Sequence, residues 1–102
     1  MQILTSLTDE QLVREYIDGN NKAFDTLLQR HKSKLFSYII RIVKNKDLAD
    51  DIFQETFFKI ITILKQGRYV ESGKFSAWLT RIAHNLIIDH FRQEKSENNV
   101  SS

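Results

Sequence analysis

Residues 75–92, FSAWLTRIAHNLIIDHFR, decide the fold. Phe75, Leu79, Ile82, Ala83 and Leu86 recur at three- and four-residue spacing, the period of a helix that turns one apolar face to a core. Trp78 stands at the border of that face, and Arg81, Asn85 and Arg92 continue beside it. A helix whose only task is packing needs none of these groups.

Outward from this helix the chain has few breaks. Proline is absent and glycine occurs three times in 102 residues, which points to an all-α domain, a compact bundle of about four helices. Immediately upstream, KQGRYVESGK (65–74) holds two of the glycines, has no period and reads as a loop. Before it, Leu48, Ala49, Ile52, Phe53, Thr56, Ile60, Ile63 and Leu64 form the inward stripe of a third helix, capped by Asn45 or Asp47 and ending near Gly67. Phe24, Leu27, Leu28, His31, Leu35, Tyr38, Ile39 and Ile42 mark a long second helix capped by Asn20 or Asn21. Thr8 and Gln11 stand in capping-box register at the start of a short first helix that turns Leu12, Val13, Tyr16 and Ile17 inward and stops at Gly19. After Arg92 the apolar period is lost, so the domain is expected over 1–95, with a frayed helix end and a disordered tail over 96–102.

The totals exclude several classes. A chain of 102 residues, 41% hydrophobic and 27% charged, makes one small globular domain. A net charge of +2 with a pI near 9.0 permits a polyanionic partner without demanding one, so local charge placement must carry that argument. With no cysteine there is neither a disulfide framework nor thiolate metal chemistry. The start, MQILTSLTDEQ, lacks a basic n-region and a cleavage site, and apolar runs such as IITIL are too short for a bilayer. A soluble cytoplasmic domain with no membrane contact is expected.

Catalytic signals are missing as well. Gly67 and Gly73 flank RYVES in neither nucleotide-binding pattern. His84 and His90 are six apart on different sides of their helix, which makes them poor co-ligands, and a hydrolase using them with Asp89 would need a bound divalent ion. His31 lies in an apolar stripe, where a packed histidine is commoner than a ligand. No enzyme, cofactor or metal is expected.

Two surfaces remain that packing does not require. On the third helix, opposite the inward stripe, Asp47, Asp51, Gln54 and Phe58 follow at three- and four-residue steps with Glu55 at the margin. An aromatic in a polar rim is the anatomy of a protein interface, although a solvated face with one exposed phenylalanine has the same pattern. On the fourth helix, Ala77, Arg81, Asn85, Ile88 and Arg92 form the outward strip, bordered by Trp78 and His84, and the loop adds Arg68, Tyr69 and Lys74. Such a strip offers cations for phosphates, an amide for base edges and an aromatic for stacking, while arginines at helical spacing also occur on plain surfaces.

In order along the chain, LADDIFQETFFKI, a loop and FSAWLTRIAHNLIIDHFR resemble region 2 of bacterial sigma factors of the extracytoplasmic-function group, and DEQLVREYIDGNNKAFDTLLQRHKSKLFSYI resembles the start of those proteins. The resemblance covers about residues 8 to 95. It implies a promoter-specificity subunit of RNA polymerase without chemistry of its own. In such proteins the third helix docks on the clamp helices of the polymerase beta-prime subunit, which assigns core contacts to Asp51, Gln54 and Glu55. Phe58, one turn further on the same face, is added as their apolar neighbour.

The loop and fourth helix of the family recognise the minus-ten element as an unpaired non-template strand with a base flipped into a loop pocket. By similarity Trp78 and Asn85 lie against the strand, Arg81 serves its phosphates and Tyr69 supplies the loop aromatic. Arg68, Lys74 and Arg92 complete the expected DNA-binding set, and an anti-sigma protein is a further expected partner.

The sequence departs from the family in several places. Relatives often carry phenylalanine-arginine-glycine where this loop reads RYVESGKF, and Thr80 replaces an aromatic after the tryptophan-leucine pair. Asp89 is expected to serve structure near Arg92. The family's second domain, which binds the minus-thirty-five element, has no counterpart here, as in an excised first domain or a naturally short protein. The competing reading is a helical interaction regulator without DNA recognition.

Overall fold

The computed structural model describes residues 3–70 and 73–100, with side chains to Lys95. A 3-10 turn (Leu4–Ser6) leads into four helices, α1 (Asp9–Ile17), α2 (Asn21–Val43), α3 (Lys46–Lys65) and α4 (Phe75–Val100), with no strand among the described residues. The expected all-α bundle is what the chain forms.

Each boundary has a local cause. Thr8 and Gln11 close a reciprocal capping box on α1: Thr8 Oγ1 accepts from the Gln11 amide at 3.2 Å, and Gln11 Oε1 accepts from the Thr8 amide at 2.8 Å. Asn45, rather than Asp47, caps α3, its Oδ1 accepting from the Leu48 amide at 3.0 Å. Asn20 is the N-cap of α2 by position, yet its side chain donates back to Glu15 Oε1 instead of capping. Gly67, at φ 68°, ends α3 with the Arg68 amide reaching back to the Ile63 carbonyl, a left-handed closure that residues with a Cβ adopt at a cost. The helical backbone of α4 runs to Val100, past Arg92 and into the segment expected to be a disordered tail. Gln93, Glu94 and Lys95 are good helix formers, and no glycine or proline stops them.

The helix α2 packs against α1, α3 and α4, and α3 packs on α4. All five residues of the expected apolar face of α4, Phe75, Leu79, Ile82, Ala83 and Leu86, are buried, joined by Ile87. Phe57, absent from the expected stripe of α3, is also buried, its ring 5.0 Å from Phe53 and 6.0 Å from Phe24. Two expected core residues are surface: Ile17 is 50% exposed and Ile42 38%. On α2 the buried line runs Leu35 and Ile39 toward the half-buried Val43, so Ile42 falls to its side. Ile17 occupies the last turn of α1, beyond the buried Tyr16. His31 is packed as expected, its Nε2 3.0 Å from Asp9 Oδ2 and its ring 5.4 Å from Phe75. Arg30 joins the same Asp9 and donates to the carbonyls of Thr5 and Leu7, which ties the 3-10 turn to α2.

Candidate nucleic-acid and protein interfaces

α4 starts after Gly73 and turns Phe75 and Leu79 into the core, which leaves Ala77 and Arg81 outward and Trp78 between the two faces. The loop before it brings Tyr69 against this first turn and a half. The Tyr69 ring lies 4.6 Å from that of Trp78, tilted by 57°, and Phe75 stands 5.7 Å from Trp78 on the core side. Arg68, Tyr69, Val70, Lys74, Ala77, Trp78 and Arg81 together line an open cleft of about 350 Å³. Five of the seven expected DNA-binding residues thus converge on one place.

Asn85 and Arg92 lie outside the cleft, exposed and further along α4. From Arg81 to Arg92 the helix rises roughly 16 Å. Asp89, expected to serve structure near Arg92, forms no ion pair with it among the described residues; both are exposed, where such a pair gains little. The Thr80 hydroxyl donates to the Ser76 carbonyl at 3.0 Å. Glu71 and Ser72 of the loop lie outside the described residues.

Two features of the cleft were not read from the sequence. Val70, 79% exposed, forms part of its rim; the signal was a β-branched apolar residue in an otherwise polar loop. Glu10 in α1 accepts a 2.6 Å hydrogen bond from the Tyr69 hydroxyl, which is committed to the protein instead of facing solvent freely. The Tyr69 and Trp78 rings meet, so they make one continuous wall and not the two sides of a slot. Arg68 donates from Nε to Gln66 Oε1 at 2.6 Å, and its terminal nitrogens have no partner among the described residues.

On α3 the positions Asp51, Gln54, Glu55 and Phe58 are all exposed on one face, away from buried Ala49, Ile52, Thr56 and Ile60. Phe58 is 70% exposed, and none of the three polar side chains has a hydrogen bond or ion pair among the described residues. The face is therefore unpartnered among the described residues. No group of three His, Cys, Asp or Glu residues able to hold a metal occurs among the described residues, and no described helix is long and apolar enough to cross a membrane.

The family profile for sigma-70 region 2 matches residues 27–97, which contain all of α3 and both surfaces. The chain belongs to the sigma-70 region 2 family. The RNA polymerase sigma factor CarQ of Myxococcus xanthus is 34% identical over 83 residues, covering 81% of this chain and 47% of that protein. The RNA polymerase sigma-H factor of Pseudomonas aeruginosa is 35% identical over 88 residues, 86% of this chain and 45% of that protein. The ECF RNA polymerase sigma factor SigW of Bacillus subtilis is 32% identical over 85 residues, 83% of this chain and 44% of its own length. This sigma region 2 chain spans about half the length of such relatives. Its fold is similar to an engineered region 2 of sigmaE, solved by NMR in complex with GTAAAA, with a TM-score of 0.74, 33% identity and coverage of 89% of this chain and 93% of that one. The likeness to the extracytoplasmic-function group therefore holds in sequence and in fold.

Proposed function

We propose that this sigma region 2 chain confers promoter specificity on RNA polymerase in the cytoplasm, with α3 as its polymerase-docking helix and the α4 cleft as its minus-ten DNA site. The observation that carries the reading is the cleft itself: Tyr69 and Trp78 form an aromatic wall rimmed by Arg68, Lys74 and Arg81. An unpaired strand presents base faces to stack and phosphates to neutralise, and this wall and rim match both needs. A similar region 2 fold in complex with GTAAAA supports the same choice of ligand.

Asn85, beyond the cleft on α4, supplies an amide for a base edge exposed by melting, and Arg92 extends the cationic track. On α3, Asp51, Gln54 and Glu55 offer polar contacts to the beta-prime clamp helices, and Phe58 supplies the apolar centre of that contact. Promoter melting then requires no catalytic residue. The domain binds the open non-template strand better than the duplex, and the opening equilibrium shifts by that difference in affinity. An anti-sigma protein that covered either surface would silence it.

Titration of labelled chain with bacterial core polymerase, and separately with single-stranded minus-ten oligonucleotides, tests both halves. Gln54→Ala and Phe58→Ala should weaken the polymerase complex alone, and Asn85→Ala with Tyr69→Ala the strand complex alone. Strand binding unaffected by the second pair would leave a helical interaction regulator without DNA recognition; failure to bind polymerase would remove the α3 assignment.

A further inference from the structure

We infer that Glu10, in the first turn of α1, is a positioning residue for the DNA cleft: it fixes the Tyr69 ring against Trp78 and thereby shapes the aromatic wall. This rests on the reading of that cleft as the strand site. The contact joins residues 59 apart through one 2.6 Å hydrogen bond from the Tyr69 hydroxyl to Glu10 Oε1. Tyr69 sits between Gly67 and Gly73 outside any helix, and neighbours from α4 and α1 reach its ring and its hydroxyl. On one side are Trp78 at 4.6 Å and Phe75 at 6.1 Å; on the other is the α1 carboxylate.

The carboxylate is itself built in. Its second oxygen, Oε2, is buried with no hydrogen-bond partner among the described residues, and Glu10 lines a second small cleft with Val13, Arg14, Ile17 and Tyr69. A buried carboxylate oxygen left without a partner is unfavourable, and the bond from Tyr69 to the other oxygen, Oε1, offsets part of that cost. Tyr69 thus has one face in each cleft: its ring walls the cationic one, and its hydroxyl closes the α1 one. Because α1 is capped by Thr8 and Gln11 and is held on α2 by Leu12 and Val13 in the core and by Asp9 bonding to Arg30 and His31, Glu10 presents the Tyr69 hydroxyl with an acceptor whose position the core fixes.

Trp78 is the chain's single tryptophan, so its emission reports this wall directly. In the whole chain, Glu10→Ala and Tyr69→Phe should each shift Trp78 emission to longer wavelength and weaken binding of a minus-ten single strand about tenfold, the scale of one hydrogen bond to a charged acceptor. Glu10→Gln, which keeps an acceptor oxygen, should recover most of both, and the double variant Glu10→Ala with Tyr69→Phe should be no weaker than either single change. Polymerase binding through α3 should stay at the wild-type level, which separates loss of position from loss of fold. The proposal is overturned if Glu10→Ala or Tyr69→Phe leaves Trp78 emission unchanged, if the strand losses add, or if Gln at position 10 is as impaired as Ala. Should the wild-type chain bind no strand, the proposed function fails on that result, and the emission series still decides whether Glu10 holds Tyr69 in place.

Discussion

Trp78 illustrates how one residue can serve core and surface together. Its inner edge meets Phe75, its other side meets Tyr69, and it remains half-buried at the cleft. Trp78→Ala should therefore weaken binding of an unpaired strand by about 1–3 kcal/mol, the value of one base stacked on an aromatic ring. Fluorescence anisotropy of a labelled oligonucleotide measures this, and equal affinities of the two proteins would remove Trp78 from the site. The border position of Trp78 was legible from spacing alone. The commitment of the Tyr69 hydroxyl to Glu10 was not, because no periodic signal connects a residue of α1 to a loop 59 positions later.

Among the elements, α3 and α4 carry the two proposed surfaces while α2 packs against all three other helices. The α3 face was legible because Asp51, Gln54, Glu55 and Phe58 share a helical side whatever that helix packs on. Its N-terminus was less determined, since Asn45 and Asp47 both have the chemistry of a cap and only the fold selected Asn45. Asn45→Ala should lower stability by about 1 kcal/mol, read as a shift of the urea midpoint with unchanged slope. Gly67→Ala, at φ 68°, should cost a similar amount, about 1 kcal/mol, by forcing a Cβ into the left-handed closure of α3. A Gly67→Ala protein as stable as wild type would show that the closure tolerates a side chain.

For the molecule as a whole, a net charge of +2 is too small to draw a polyanion by itself, so placement matters more than total. Arg68, Lys74 and Arg81 gather at the cleft and Arg92 follows along α4, which spans 26 residues and about 39 Å. With three or four of these cations on phosphates, the logarithm of the strand association constant should fall against the logarithm of salt concentration with a slope of roughly −2 to −3. Each cation changed to alanine should make that slope shallower by about 0.7. A slope near zero would mean that the strip contacts no phosphate.

Helical periodicity, the scarcity of breaks and the order of two motifs were enough to determine four helices, their apolar faces and a family. These depend on local geometry, in which a 3.6-residue period and a capping side chain act within a few positions of one another. Tertiary packing alone decided that Phe57 is core while Ile17 and Ile42 are surface, because burial depends on where a neighbouring helix ends. It also decided that Tyr69 and Trp78 form one wall and that Glu10 holds it, since contacts between distant segments arise only once α1, the loop and α4 have been brought together by the common core.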